Sequence, residues 1–182
     1  METENEIDNA KNKLNRKNLD LIVAVDRNWG IGYKNKLLCS LPSDMKHFVK
    51  TTTGKTVIMG RKTLESFPNG KPLKNRQNIV FSKTAKGIED LFLVNSIDDF
   101  KTKIEDLDNS FVIGGSAIYK LLLPYCNHAF ITKIDEEFKA DAYFPNLDEM
   151  DNWEITEELG TIYENGIFAS ILKYKNAEVK SL

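Results

Sequence analysis

The sequence predicts an α/β protein: a single domain on a mostly parallel eight-stranded sheet, with an antiparallel hairpin at its C-terminal edge. Apolar, β-branched runs of strand length alternate with helical patterns along most of the chain, which is typical of parallel sheets covered by helices. Two strand patterns then flank Asn165-Gly166, a dipeptide that favours a tight hairpin turn. A length of 182 residues suits one such domain with about four flanking helices.

Composition narrows the classes of ligand. The net charge is −2, from 25 basic and 27 acidic residues, so no global charge favours nucleic acid or an anionic membrane. No apolar run approaches the length of a membrane span, and the first residues lack an apolar signal core. Cys39 and Cys126 show neither metal-ligand spacing nor a disulfide framework, which suits a reducing compartment. We expect a cytoplasmic protein that binds no metal, nucleic acid or membrane.

The two ends differ in composition from the rest of the chain. Residues 1–18 are almost wholly polar, which predicts a disordered or loosely attached N-terminal extension, with a stray helix as the alternative. The domain is expected to cover residues 19–176, and residues 177–182 form a C-terminal tail.

The elements follow in chain order from apolar runs and from their punctuation by Gly and Pro. Strands are predicted at residues 19–25, 55–60, 77–82, 91–94, 110–113, 128–134, 154–158 and 167–174. Helices are predicted from Pro42 or Ser43 to about Lys50, over 61–66, over 97–107, and from the glycine pair at 114–115 to about Leu123. Residues 26–35, with two glycines and two asparagines, are predicted to form a loop.

The helix that begins near Pro42 carries the strongest candidate for chemistry. Pro fits a first helical turn, where Ser43 and Asp44 suit the free N–H groups. Asp44 and Phe48 are four residues apart and share a face with Leu41 just upstream. A carboxylate in such apolar surroundings should have a raised pKa, which makes it a candidate proton donor or relay. The alternative is a helix-start carboxylate beside a core aromatic ring.

Two junctions in the chain combine a strand, a glycine and a helix. Gly60 is followed by Arg61 and Lys62, and the pair Gly114-Gly115 opens the later helix. Glycine allows close backbone approach and a helix start offers free N–H groups, so both junctions are candidate phosphate sites. The alternative is an ordinary pair of strand-to-helix turns with exposed basic residues.

Taken together, the motifs make the chain recognisable over nearly all of residues 20–175. In order and spacing it resembles dihydrofolate reductase. The matching segments are Val23–Arg27 and Gly30–Gly32, Leu41–Asp44, Val57–Thr63, Pro72-Leu73 with Arg76 and Asn78-Ile79, Val112–Gly115 with Ile118-Tyr119, and Ile131-Thr132 with Ile134-Asp135.

The resemblance implies an oxidoreductase that reduces 7,8-dihydrofolate to tetrahydrofolate with NADPH and so supplies one-carbon metabolism and thymidylate and purine synthesis. It further implies a monomer that binds dihydrofolate and antifolate inhibitors. Two other readings stay open: a reductase of this fold acting on another pterin or pyrimidine, such as a riboflavin-pathway reductase, and a ligand-binding protein without turnover. The combination of Asp44 with Arg76 favours folate.

The resemblance also implies roles for individual residues. Asp44 would grip the pterin amino group and ring nitrogen and assist protonation, and Thr132 would hydrogen-bond its carboxylate. Arg76 would hold the α-carboxylate of the substrate's glutamate, a bidentate task that suits a guanidinium group. The other implied substrate contacts are Ala24, Phe48, Leu73 and Ile113. The implied cofactor contacts are Ala24, Ile31, Gly32, Gly60, Arg61, Lys62, Thr63, Ser82, Lys83, Ile113, Gly114, Gly115, Ser116, Ala117, Ile118 and Tyr119.

Three further expectations follow from the comparison with the family pattern. The Gly114-Gly115 bond should be cis, and residues 30–38 should form the loop that closes over the nicotinamide. Leu38 and Cys39 stand where the family usually has Pro-Trp, so the pocket water that the tryptophan helps to hold is in question and Cys39 becomes a pocket-edge thiol. His47 and His128, without an acidic partner nearby in sequence, are expected to be structural.

Overall fold

A computed structural model of the protein describes residues 18–84 and 88–182. In these residues the chain forms one eight-stranded sheet, one two-stranded sheet and four α-helices. The strands are β1 Leu19–Val25, β2 Gly30–Gly32, β3 Thr56–Gly60, β4 Gln77–Phe81, β5 Leu91–Val94, β6 Ser110–Gly114, β7 Cys126–Ile134, β8 Ala142–Tyr143, β9 Trp153–Glu164 and β10 Ile167–Asn176. The helices are α1 Pro42–Thr52, α2 Arg61–Ser66, α3 Ile97–Lys103 and α4 Ser116–Leu122.

The main sheet has the strand order β5-β4-β3-β6-β1-β7-β10-β9. β10 runs antiparallel to both β7 and β9, and the remaining neighbours are parallel, which confirms the predicted fold class. Asn165 and Gly166 connect β9 to β10, and both have positive φ, 53° and 73°. A two-residue hairpin turn of this kind requires such angles.

Helices cover both faces of the sheet. On one face, apolar side chains of the central strands pack against Phe100 of α3 and Tyr119 of α4. On the other face, Val57 and Met59 pack against Leu64 of α2. α1 lies on this second face, because its residue Asp44 is hydrogen-bonded to a side chain of β7. The second face therefore carries the predicted substrate residues.

Predicted and observed boundaries differ most at α3 and β9. The helix predicted over 97–107 ends at Lys103, where Ile104 turns to φ −102° and ψ 105°. Ile104 and Leu107 are nonetheless buried, at 8% and 1% exposure. The apolar pattern that predicted a longer helix therefore continues beyond the helix end, in residues whose backbone is not helical. The strand predicted over 154–158 runs as β9 to Glu164. Most of its residues are exposed because it is the edge strand, and its pattern lacks clear alternation.

The segment predicted as a loop over 26–35 contains a short strand. β2 pairs with β8, more than a hundred residues later, and its three residues are too few to give a periodic signal. Asp26 organises the turn before β2: its carboxylate accepts hydrogen bonds from the backbone N–H groups of Asn28, Gly30 and Phe138. The predicted loop is therefore tied to the segment that leads into β8.

The predicted N-terminal extension, apart from Asn18, lies outside the described residues. The backbone N–H of Asn18 bonds to Asp108, 3.2 Å away, just before β1. At the other end, Leu182 packs against the main core and the N–H of Lys180 donates to the carbonyl of Pro124. Within residues 18–84 and 88–182, every helix is too short or too polar to cross a bilayer.

Candidate active site

The first turn of α1 places Asp44 against the middle of β7. Pro42 is the first helical residue, and Leu41 before it is extended and only 7% exposed. Thr132, 2% exposed on β7, donates its hydroxyl to Asp44 Oδ1 at 2.5 Å. Ala24 on β1 is the register partner of Thr132, so it lies on the same face beside this pair. The structure thus brings together three residues predicted for one pocket.

Burial dominates the electrostatics of Asp44. It raises the pKa of the carboxyl group, as the sequence predicts, and the bond from Thr132 and the nearby His47 act in the opposite direction. Glu164, on β9, adds to the increase in the Asp44 pKa. Burial, together with the Asp44 charge, also raises the pKa of Cys39, which keeps this pocket-edge group a neutral thiol at neutral pH.

The apolar walls come from two neighbouring clusters on the same face. Ala24 and Cys39 are partly buried and pack against a cluster that includes Leu41. Leu73 and Ile113 are partly buried against the cluster built from β3, β4 and α2. The predicted wall residues therefore lie along one side of the sheet.

The guanidinium group of Arg76 lies over the ring of Phe48, 5.9 Å from its centre. Its Nη2 donates to Thr53 Oγ1 at 3.4 Å, and its buried Nε has no hydrogen-bond partner among the described residues. Asn78, 2% exposed, holds the loop before it: its Nδ2 donates to the carbonyls of Leu73 and Arg76, and its Oδ1 accepts from the N–H of Leu73. No role for Asn78 was predicted; the signal that could have marked it is a polar residue within an apolar strand.

The two strand–glycine–helix junctions lie side by side, because β3 and β6 are parallel neighbours. The Gly114-Gly115 peptide bond is cis, as the resemblance predicts. A Cβ added to Gly60 would lie 3.1 Å from Cγ1 of Ile118, and one added to Gly115 would lie 3.3 Å from Oγ1 of Thr63. Glycine therefore lets each junction's backbone approach a side chain of the other.

The residues of α4 that follow the glycine pair divide between the surface and the core. Ser116 donates its hydroxyl to the carbonyl of Tyr143 at 2.9 Å, and Ala117 is exposed. Tyr119 is 4% exposed and donates its hydroxyl to the carbonyl of Ile22 at 2.7 Å. Its ring is thus part of the core, and burial raises its pKa well above the usual value.

The basic residues predicted to contact phosphate lie at the carboxyl ends of adjacent strands. Arg61 and Lys62 follow β3, and Ser82 and Lys83 follow β4, its parallel neighbour. The side chains of Arg61, Lys62 and Lys83 are exposed, and Arg61 Nη1 pairs with Glu65 at 2.7 Å one turn along α2. Positive charge therefore collects at this edge of the sheet.

The loop predicted to close over the nicotinamide is anchored both at β2 and at Asn35. Ile31 and Gly32 lie in β2, which is paired with β8, and the side-chain amide of Asn35 donates to the carbonyl of Lys62 at 3.1 Å. Leu37, farther along, is 69% exposed. The loop therefore connects the predicted cofactor residues to the start of α1.

Both histidines have acidic neighbours, which the sequence expectation missed. His128 Nδ1 lies 3.1 Å from Asp20 Oδ1 on the adjacent strand, although the two residues are 108 positions apart. His47 lies close enough to Asp44 for their charges to interact, and burial lowers the pKa of His47. Strand register created the His128–Asp20 pair. Asp44 and His47 are three residues apart on α1, so helical spacing already predicts their contact and the sequence expectation overlooked it.

A family model described as dihydrofolate reductase matches residues 18–175, the whole region that contains this site. The chain belongs to the dihydrofolate reductase family. It is 40% identical over 145 residues to the dihydrofolate reductase of Bacillus subtilis (strain 168), covering 79% of this chain and 84% of that protein.

Other dihydrofolate reductases extend the similarity. That of Staphylococcus aureus is 35% identical over 142 residues, covering 78% of this chain and 86% of that protein. The solved structure of dihydrofolate reductase from Enterococcus faecalis complexed with NADP(H) and RAB-propyl superimposes with a TM-score of 0.79 at 30% identity. The match covers 88% of this chain and 97% of that chain.

Proposed function

We propose that the chain catalyses the NADPH-dependent reduction of 7,8-dihydrofolate to 5,6,7,8-tetrahydrofolate, with Asp44 assisting protonation of the pterin ring. One observation carries the assignment of Asp44: a half-buried carboxyl group, set at the start of α1, accepts a 2.5 Å hydrogen bond from the buried Thr132. A pterin offers an amino group and a ring nitrogen side by side, which a carboxylate can bind with both oxygens. Burial raises the pKa of Asp44, so that the group can take up a proton nearer to neutral pH.

Arg76 is proposed to bind the α-carboxylate of the substrate's glutamate. Its guanidinium group is half-buried and stacked on Phe48, and its Nε has no partner in the described part of the chain. An arginine held in this way can present two N–H groups to a carboxylate with little loss of side-chain freedom. Ala24, Leu73 and Ile113 then supply apolar walls for the rings between the two charged ends.

The proposed cofactor residues fit NADPH on two counts. The bare backbone at Gly60 and Gly114-Gly115 permits the close approach that a pyrophosphate needs, and Arg61 and Lys83 bring charge to the ends of neighbouring strands. When bound, NADPH supplies the hydride. The protein's part is to align the two rings, exclude water and hold the proton at Asp44. The remaining proposed contacts are Ile31, Gly32, Lys62, Thr63, Ser82, Ser116, Ala117, Ile118 and Tyr119.

We also infer a monomer that acts in the cytoplasm and binds antifolate inhibitors, in line with the family resemblance. Size-exclusion chromatography should give a single species near 20.8 kDa. Elution at twice that mass at micromolar concentration would contradict the monomer.

The decisive experiment is a continuous absorbance assay with NADPH and dihydrofolate. We expect NADPH to be oxidised only when dihydrofolate is present. The rate should fall strongly in Asp44→Asn. The matched comparison replaces dihydrofolate with a riboflavin-pathway pyrimidine. Turnover of the pyrimidine in preference to dihydrofolate, or NADPH binding without turnover of either compound, would overturn the proposed function.

A further inference from the structure

The carboxylate of Glu164 is bound to the start of α1 from the far edge of the sheet. Glu164 is the last residue of β9, directly before the hairpin turn. Its Oε1 accepts from the backbone N–H of Ser43 and its Oε2 accepts from the Ser43 hydroxyl, both at 2.8 Å. The two residues are 121 positions apart in the chain, so only the folded hairpin brings them together.

This contact supplies what α1 lacks locally. The residue before the helix, Leu41, has no side-chain oxygen, and no side-chain cap bond is formed there. Pro42 has no N–H group, so the N–H of Ser43 is the first that needs an acceptor. A carboxylate suits this place, since it accepts the bond and complements the positive end of the helix dipole. Glu164 thus acts as the cap of α1 from another element.

Asp44 is the next residue after Ser43, and the charge of Glu164 acts on the Asp44 carboxyl group. We propose that Glu164 is a positioning residue for the reaction: it holds the first turn of α1 so that Asp44 meets Thr132, and its negative charge favours the protonated form of Asp44. The inference rests on the proposed role of Asp44 in protonation. It adds to that role a second carboxylate that does not itself touch the substrate.

Besides Glu164, the titratable groups on the segments around Asp44 include two that are largely neutral at pH 7. They are His47 on α1 and Cys39 on the preceding loop, with Lys50 next to His47. Burial lowers the pKa of His47 and raises that of Cys39, so both are largely neutral at pH 7. Glu164 raises the pKa of Asp44, in the direction that the proposal requires.

The test is the pH dependence of turnover in Glu164→Gln. Glutamine can keep both contacts, with its oxygen accepting from the Ser43 N–H and its amide donating to the hydroxyl, while the charge is removed. We expect the apparent pKa of the alkaline limb of the pH–rate profile to fall by about half a unit, which lowers the rate on that limb about threefold. The rate on the low-pH plateau should not change. Glu154→Gln is the matched control: Glu154 is an exposed residue of β9 whose register leads through Lys175 to His128, about 13 Å along β7 from Thr132 and beyond the range of screened charge.

Glu164→Asp separates charge from geometry. It keeps the charge but shortens the reach, so we expect the apparent pKa to stay close to that of the wild type while the melting temperature falls by a few degrees. Ser43→Ala, which removes one of the two bonds and keeps the charge, should behave in the same way.

Three results would overturn the proposal: no shift in Glu164→Gln, an equal shift in Glu154→Gln, or a shift in Glu164→Asp as large as that in Glu164→Gln. If any of these occurs while Asp44→Asn is nearly inactive, the role of Asp44 stands and that of Glu164 fails. Wild-type turnover in Asp44→Asn would contradict the proposed roles of both Asp44 and Glu164.

Discussion

The proposed substrate side and the proposed cofactor side of this protein are built in different ways. On the substrate side, Asp44 is held by side chains from distant segments, with Thr132 88 positions away and Glu164 bound to the preceding residue. On the cofactor side, Gly60 and Gly114-Gly115 each lie within one strand-to-helix junction and present backbone. The difference suggests that substitutions on the substrate side change chemistry and pH dependence, while those on the cofactor side change affinity and cofactor choice.

The largest effect is expected from Asp44→Asn, which keeps the shape and removes the ionisable group. We expect turnover at neutral pH to fall by roughly 10²–10⁴ and to recover in part at low pH, where the substrate protonates without help. The measurement is kcat against pH together with the Kd for NADPH, which should barely change. A comparable loss of NADPH affinity would mean that the two sides are not independent.

The same substitution tests the electrostatics through stability. The pKa of Asp44 is raised in the folded protein, so the folded state holds this proton more tightly than the unfolded chain does. The contribution of Asp44 to stability is therefore present at pH values below its pKa in the unfolded chain. This contribution is lost as the pH rises through its pKa in the folded protein. We expect the melting temperature of Asp44→Asn relative to wild type to increase between acid and neutral pH. A constant difference across that range would contradict the raised pKa.

On the cofactor side, Arg61→Ala and Lys83→Ala should each weaken NADPH about tenfold to a hundredfold and leave NADH almost unaffected. Charge-assisted bonds to a 2′-phosphate contribute about 1.5–3 kcal/mol each, before desolvation is subtracted. Both side chains are exposed, so the preference should shrink as salt rises. The ratio of kcat/KM for the two cofactors measures the effect, with Lys101→Ala on α3 as a control. An unchanged ratio in both variants would place phosphate recognition elsewhere.

Thr132→Val should have a smaller effect. It should shift the pH profile of turnover in the direction opposite to the shift expected for Glu164→Gln. The hydroxyl of Thr132 favours the ionised form of Asp44, so its loss should raise the pKa further and move the alkaline limb upward. We expect dihydrofolate binding to weaken about tenfold, since the carboxylate loses its donor. Isothermal titration and the pH profile of kcat measure the two effects. A downward movement of the limb would contradict the assigned hydrogen bond.

The smallest effect is expected from deleting residues 1–17. Their polar composition predicts that they bury little surface, so activity and melting temperature should stay close to those of the full chain. Thermal unfolding and the standard assay check this. A drop of several degrees would show that the extension contributes to the folded domain.

Local patterns in the sequence determined most of the elements and the junctions of the cofactor side. The β-branched runs predicted the strands of the main sheet, and Gly60 and Gly114-Gly115 marked the two strand-to-helix turns. The start of α1 at Pro42 followed from local rules as well. These features depend on backbone preference and on neighbours a few residues away, which a sequence displays directly.

Only the tertiary structure decided how the substrate side is assembled. The bonds that Glu164 accepts from Ser43 and the contact between His128 and Asp20 depend on strand order and register. The bonds by which Asn78 holds the preceding loop depend on the path of that loop. Shifting a strand by one residue turns each side chain to the other face, so no local pattern encodes these pairs. The same holds for β2 and β8, which are too short to form without each other. Local spacing and the family resemblance predicted the candidate groups for the chemistry, and the fold decided which charges surround them.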